Sequence, residues 1–315
     1  MDALPGWAEQ VTQRDGAQEE LWLLGQPPLH HYLDYVQDHV IDGKALPRSA
    51  LVDEWRTAND YYYDLEISEA GIADKIGIHD LPQSLKPLEN DVRANACFRR
   101  SYDMLPTRFA MVELERLVVA QLHVNLTHTN RLRQQLPAQP GAEEVFRFCH
   151  PIDRPGPQIN IRRISGTRYS FTSDSSDLRF REAALLRSDQ IAGGERFGPT
   201  AVIMGLVVGF SSNFLTAIQS DNRLLLHNGH HRAFALLDHG VTHAPCIIQT
   251  VTRRDELNLI AGEDVQEAPA FYFKAARPPL LKDFLDPRIR KVQRIPRPVQ
   301  MIDIKFEVQD HNVAD

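Results

Sequence analysis

The stretch FLTAIQSDNRLLLHNGHHRAFALLDHGVTHAPCIIQTV, residues 214–251, decides how this chain is to be read. Residues 215–219 and 223–226 are short apolar runs separated by Ser220, Asp221 and Asn222, the pattern of two strands joined by a hairpin turn. At Asn228 and Gly229 the chain must turn sharply. His230 then opens a helix with Phe234, Leu236 and Leu237 on its buried side, and Gly240 stops it. Residues 244–251 read as a further buried strand. A glycine loop leading from a strand into a helix aims backbone N–H groups and the positive helix end at one spot, which suits an anion. Asn228, Gly229, His230, His231 and Arg232 stand at that spot.

Across LLLHNGHHRAFALLDHGVTHAPCIIQ, residues 224–249, the chain resembles the ParB/sulfiredoxin-like superfamily, whose members carry a strand, a Gly-x-x-Arg or Gly-x-His-Arg loop, a helix and a strand entered through Val-Pro or Ala-Pro. The resemblance implies that Asn228, Gly229, His230, His231 and Arg232 bind the phosphates of a nucleotide or phosphometabolite, with a nucleoside phosphate and magnesium as the implied cofactor. It covers under a quarter of the chain. Asn228 stands where many relatives have Asp, so the position supplies no carboxylate base. His230 stands where sulfiredoxins have cysteine, so reductase chemistry does not carry over. Residues 255–315 are too short and proline-rich for the DNA-binding domain of the partition proteins.

A phosphotransferase or nucleotide hydrolase needs an acid within about 3 Å of the reacting hydroxyl or its metal, and the loop itself offers none. Glu182 and Asp221 are the candidate carboxylates. The contrasting reading is a non-catalytic regulatory or assembly protein. Five histidines (His227, His230, His231, His239, His243) crowd the same stretch. Consecutive helical residues point about 100° apart and so rarely chelate one ion, and no metal site is expected from them.

Composition frames these readings. With 43% hydrophobic and 24% charged residues, the chain has the balance of a soluble globular protein, and its net charge of −7 disfavours a whole-surface nucleic-acid binder. No apolar run is long enough to span a bilayer, and no secretory signal is visible, so a cytoplasmic protein with reduced thiols at Cys97, Cys149 and Cys246 is expected.

Outward from the central stretch, amphipathic patterns predict helices after Pro28, after Ser49 and over residues 111–136. The proline-rich segments 137–144 and 150–158 then separate this helical texture from strand-like runs. The expected architecture is α+β: a helical N-terminal region, 1–150, packed on a C-terminal mixed β-sheet domain, 151–315. Residues 274–300 form a basic, proline-rich arm, read as a wrapping segment, with a nucleic-acid-facing strip as the less favoured role.

Overall fold

The computed structural model describes residues 16–26, 28–152, 156–175, 177–192, 202–210 and 212–309. Numbered along the chain, its first strands are β1 (Gln18–Leu23), β2 (Ile78–Asp80), β3 (Thr107–Glu113), β4 (Val118–Val119) and β5 (His123–Asn125). Next come β6 (Asn160–Arg163), β7 (Arg168–Ser173), β8 (Arg179–Leu186) and β9 (Ile203–Gly209). The last are β10 (Thr216–Ser220), β11 (Arg223–Asn228), β12 (His243–Thr250), β13 (Arg290–Ile295) and β14 (Gln300–Lys305). The chain divides into two compact units, 1–153 with 212–297, and 154–211 with 298–315.

The central stretch folds as its pattern dictates. β10 and β11 form an antiparallel hairpin closed at Ser220 and Arg223, with Asp221 at φ +51° in the turn. Gly229 turns the chain at φ +88°, and the helix His230–Asp238 follows directly. Gly240, at φ +87°, ends it before β12. Residues 233–237 of this helix are all buried. It therefore lies inside the fold rather than on its surface, and each of its large apolar side chains contributes about 1.5–3 kcal/mol by leaving water.

In the first unit, β2-β3-β12-β10-β11-β4 make a six-stranded mixed sheet. β10 runs parallel to β12, and β11 parallel to β4; the remaining neighbours are antiparallel. Alternation decides its two faces. Leu224 and Leu226 join the core that holds the helix His230–Asp238, whereas Leu225 and Ile218 face a second core with Leu257, Val265 and Phe273. A smaller antiparallel sheet, β13-β1-β5, completes the unit.

α+β is therefore correct as a class, but the helical N-terminal region 1–150 is not. β2, β3 and β4 all belong to the main sheet, and β1 and β5 form the small one. The expected helix over 111–136 shrinks to Leu126–Arg133. Its upstream part is strand because β-branched Val112, Val118, Val119 and Val124 are fully buried and fill pleated positions. The expected division near residue 150 likewise gives way. The chain leaves the first unit there, but re-enters it at 212, because β10, β11 and β12 need β3 as a neighbour.

The second unit has a three-stranded antiparallel sheet, β14-β7-β6, and the β8-β9 hairpin. Arg168 on β7 pairs with Asp303 on β14.

The basic arm belongs to the first unit almost to its end. β13 pairs with β1 along six residues. Arg277, 1% exposed, bonds Asp283 and Glu69. Lys282 meets Glu69, Arg288 meets Asp286, and Lys291 meets Glu54. Four of the arm's eight basic side chains thus meet carboxylates within the fold. Among the described residues, no helix is long and apolar enough to cross a membrane.

Candidate functional site

Gly229 is required where it stands. A Cβ there would sit 3.0 Å from Leu215 Cδ1 and 3.2 Å from Leu215 Cα, at a φ that L side chains rarely adopt. The backbone approaches so closely because the segment entering β10 passes over the start of the helix. That passage decides where the loop's polar groups go. Asn228 Nδ2 donates to Ser212 O at 2.7 Å, and its Oδ1 accepts from Gly229 N at 2.7 Å. Arg232, 6% exposed, donates through Nη1 to Asn213 O.

His231 Nε2 accepts from Asn125 N at 3.0 Å, pinning β5 to the helix start, and its ring meets His128 edge-on. Burial pushes the His231 imidazole down to about 3, which keeps it a neutral acceptor. Of the five expected phosphate ligands, Asn228, His231 and Arg232 therefore spend their side chains inside the fold. Only His230 reaches a cleft.

That cleft has a volume of about 450 Å³. Ile218, Leu225 and Leu226 of the central hairpin line it. Gln121 and His123 of the β4–β5 segment, Trp22, Gly262 and Asp264 also line it. His227 and His230 come from the loop, and His31 from the helix Leu29–His39. His230 Nε2 is shielded from solvent and, among the described residues, has no hydrogen-bond partner. Burial pushes the His230 imidazole down to about 3, against the opposing pull of the Leu226 carbonyl, so the ring is neutral in ordinary buffers. Among the described residues no lysine or arginine lines the cleft, and Asp264 supplies a carboxylate.

Glu182 and Asp221 do not join this site. Glu182 lies on exposed β8 of the second unit. Asp221 occupies the hairpin turn, at the end of β11 opposite Gly229. Its left-handed backbone conformation is a sufficient reason for a short polar residue there.

A nucleoside phosphate with magnesium fits these residues poorly. A phosphate in the cleft would meet the neutral imidazole of His230 and the Asp264 carboxylate. Among the described residues, no group of three or more His, Cys, Asp or Glu side chains could hold a metal ion. The residues that do form the cleft, Trp22, His31, Gln121, His123 and Asp264, carried no local signal, since they come together only through the pairing of β1 with β5 and the packing of residues 261–265.

Comparison with protein-family models, with curated proteins and with solved structures finds no match to the chain.

Proposed function

We propose that the chain is a small-molecule-binding protein of ParB/sulfiredoxin-like type, whose cleft takes the base of a nucleoside or a similar planar nitrogen heterocycle. The strand–glycine–helix–strand connection, formed as the motif requires, supports the type. The observation that carries the ligand class is the shielded, unpartnered Nε2 of His230 in the cleft wall. A buried polar atom left without a partner costs about 1–3 kcal/mol, and a ring N–H or exocyclic amino group of a ligand would recover it. A volume of about 450 Å³ suits a ligand of nucleoside size. Gln121 and Asp264 add an amide and a carboxylate for the exocyclic groups of a base. This reading moves the ligand's recognition from phosphate to ring, because Arg232 would have to abandon Asn213 O to reach an anion.

Thermal-shift measurements test it, using adenosine, guanosine, cytidine and uridine and their 5′-mono- and triphosphates, with and without magnesium. At least one nucleoside should raise Tm, since a ligand at 100 times its Kd stabilises by about 2.7 kcal/mol. Its phosphates should add nothing, and His230→Ala should remove the effect. A response confined to triphosphates with magnesium, or none to any compound, overturns the assignment.

A further inference from the structure

β1 and β5 pair so that Trp22 lies opposite His123 and Glu20 opposite Asn125. Leu21, Leu23 and Val124 point into the core, and the alternate residues face the other way. On that side the Trp22 and His123 rings stack at 4.9 Å and 8°. Glu20, 8% exposed, accepts at Oε2 from Trp22 Nε1 at 2.9 Å and from the Tyr35 hydroxyl. Its other oxygen, Oε1, lies 3.3 Å from His123 Nδ1. That N–H is close enough for an ion pair but is not aligned as a full hydrogen bond, and Nδ1 is otherwise buried without a partner among the described residues. Such contacts are often long before a ligand binds. Burial works to raise the Glu20 carboxyl, but His123, Tyr35 and Trp22 outweigh it and hold the group at about 2, so it is ionised.

The choice of partner is informative. Elsewhere in this unit, the ion pairs with the most deeply buried cation use arginine: Arg223 with Asp74, and Arg277 with Asp283. Glu20 instead faces an imidazole whose side chain is 40% exposed and whose outer edge lines the cleft. A carboxylate on Nδ1 fixes the tautomer with the lone pair on Nε2. We infer that the Glu20–His123 pair makes the cleft an acid–base site, in which His123 Nε2 accepts a proton from a bound water or ligand hydroxyl. The proton leaves oxygen for Nε2, the oxygen keeps the electron pair, and the new imidazolium charge rests against Glu20 Oε1. Glu20 is a positioning residue in this scheme. The inference rests on the cleft being a ligand site, and it deepens that reading from binding to acid–base chemistry on a hydroxylated ligand.

The test has two readouts. Nitrogen NMR of the histidine rings reports the tautomer of His123, identified with His123→Gln. Wild type should show protonated Nδ1 and bare Nε2, and Glu20→Gln should show a mixture or the reverse. Carbethoxylation by diethyl pyrocarbonate, in which bare Nε2 attacks the carbonyl and ethyl carbonate leaves, is followed by peptide mass spectrometry and normalised to exposed His79. Its rate at His123 should fall by about 2-fold or more in Glu20→Gln, because in a tautomer mixture about half or less of Nε2 keeps its lone pair. Saturating adenosine, guanosine, cytidine or uridine should protect His123 in wild type. A wild-type His123 protonated at Nε2, or a rate indifferent to Glu20→Gln, overturns the pair. The wild-type tautomer decides the matter even if Glu20→Gln does not fold. A correct tautomer and a Glu20-dependent rate without protection by any nucleoside uphold the pair and overturn the nucleoside assignment instead.

Discussion

Arg232→Ala separates a ligand-binding arginine from a structural one. An arginine exposed at a helix start to hold phosphate would be removed at a cost of about 0.5 kcal/mol or less, as for most surface substitutions. Arg232 is 6% exposed, and its guanidinium donates to the carbonyl of Asn213. Losing one charge-assisted bond to a buried acceptor costs about 1.5–3 kcal/mol. The buried methylene stem adds about 0.8 kcal/mol per CH₂, offset by roughly 2 kcal/mol of side-chain entropy that is no longer frozen. A net loss of about 2–4 kcal/mol follows. Urea unfolding monitored by tryptophan fluorescence measures it, because Trp22 and Trp55 belong to the first unit. With a slope near 3 kcal/mol per M, the midpoint should fall by roughly 1 M. Arg232→Lys should recover part of the loss, since it restores the charge but not the fork. A loss under about 1 kcal/mol, accompanied by loss of every ligand-induced shift in Tm, would refute the structural assignment and return Arg232 to the ligand.

Two further outcomes are expected. Gly229→Ala should destabilise by about 2–4 kcal/mol, from a left-handed φ together with contact against Leu215. Gly240→Ala, with a similar φ but nothing within 4 Å of the added Cβ, should cost only about 1–2 kcal/mol in the same urea assay; equal losses would show that the approach of Leu215 is unimportant. Acid should unfold the first unit from below about pH 6.5, because burial holds His150 at about 3, well under its unfolded value of 6.5. The unfolded state then binds the proton first, so stability is complete above 6.5 and is lost as pH falls toward 3, by about 4–5 kcal/mol for this group. His150 lies among Phe109, Phe146 and Phe214, buried away from any charged partner among the described residues. His150→Phe should therefore raise stability at pH 7 by about 1 kcal/mol or more and lower the pH midpoint of the fluorescence transition; an unchanged midpoint would exclude His150 as a source of the acid sensitivity.

Local chemistry was enough to read the central stretch. A tight turn between two apolar runs, a glycine that alone tolerates positive φ, and a helix of nine residues ended by a second glycine are decided within a few residues of one another. Residues 111–125 were not legible in that way. Their apolar positions fit a helix of broad face as well as strands buried on both sides, and only the presence of β12, β11 and β1 as neighbours selected the strands. The interrupted path of the first unit was hidden for the same reason, since the residues of β3 find their partners on β12 130 or more positions further along the chain.

The candidate site divides along the same line. Sequence placed a glycine, two histidines and an arginine at a helix start, and backbone geometry followed. Which of those side chains face a ligand depended on the segment 212–215 crossing above them, whose carbonyls took Asn228 and Arg232. His123 and Glu20 are more than 100 residues apart, and only the cross-strand register of β1 and β5 brings an ionised carboxylate against an imidazole. Sequence by itself determined the conformations that cost or save energy within a single turn. Tertiary structure decided the partners of each polar group, because a buried donor or acceptor bonds to whatever backbone the fold carries past it.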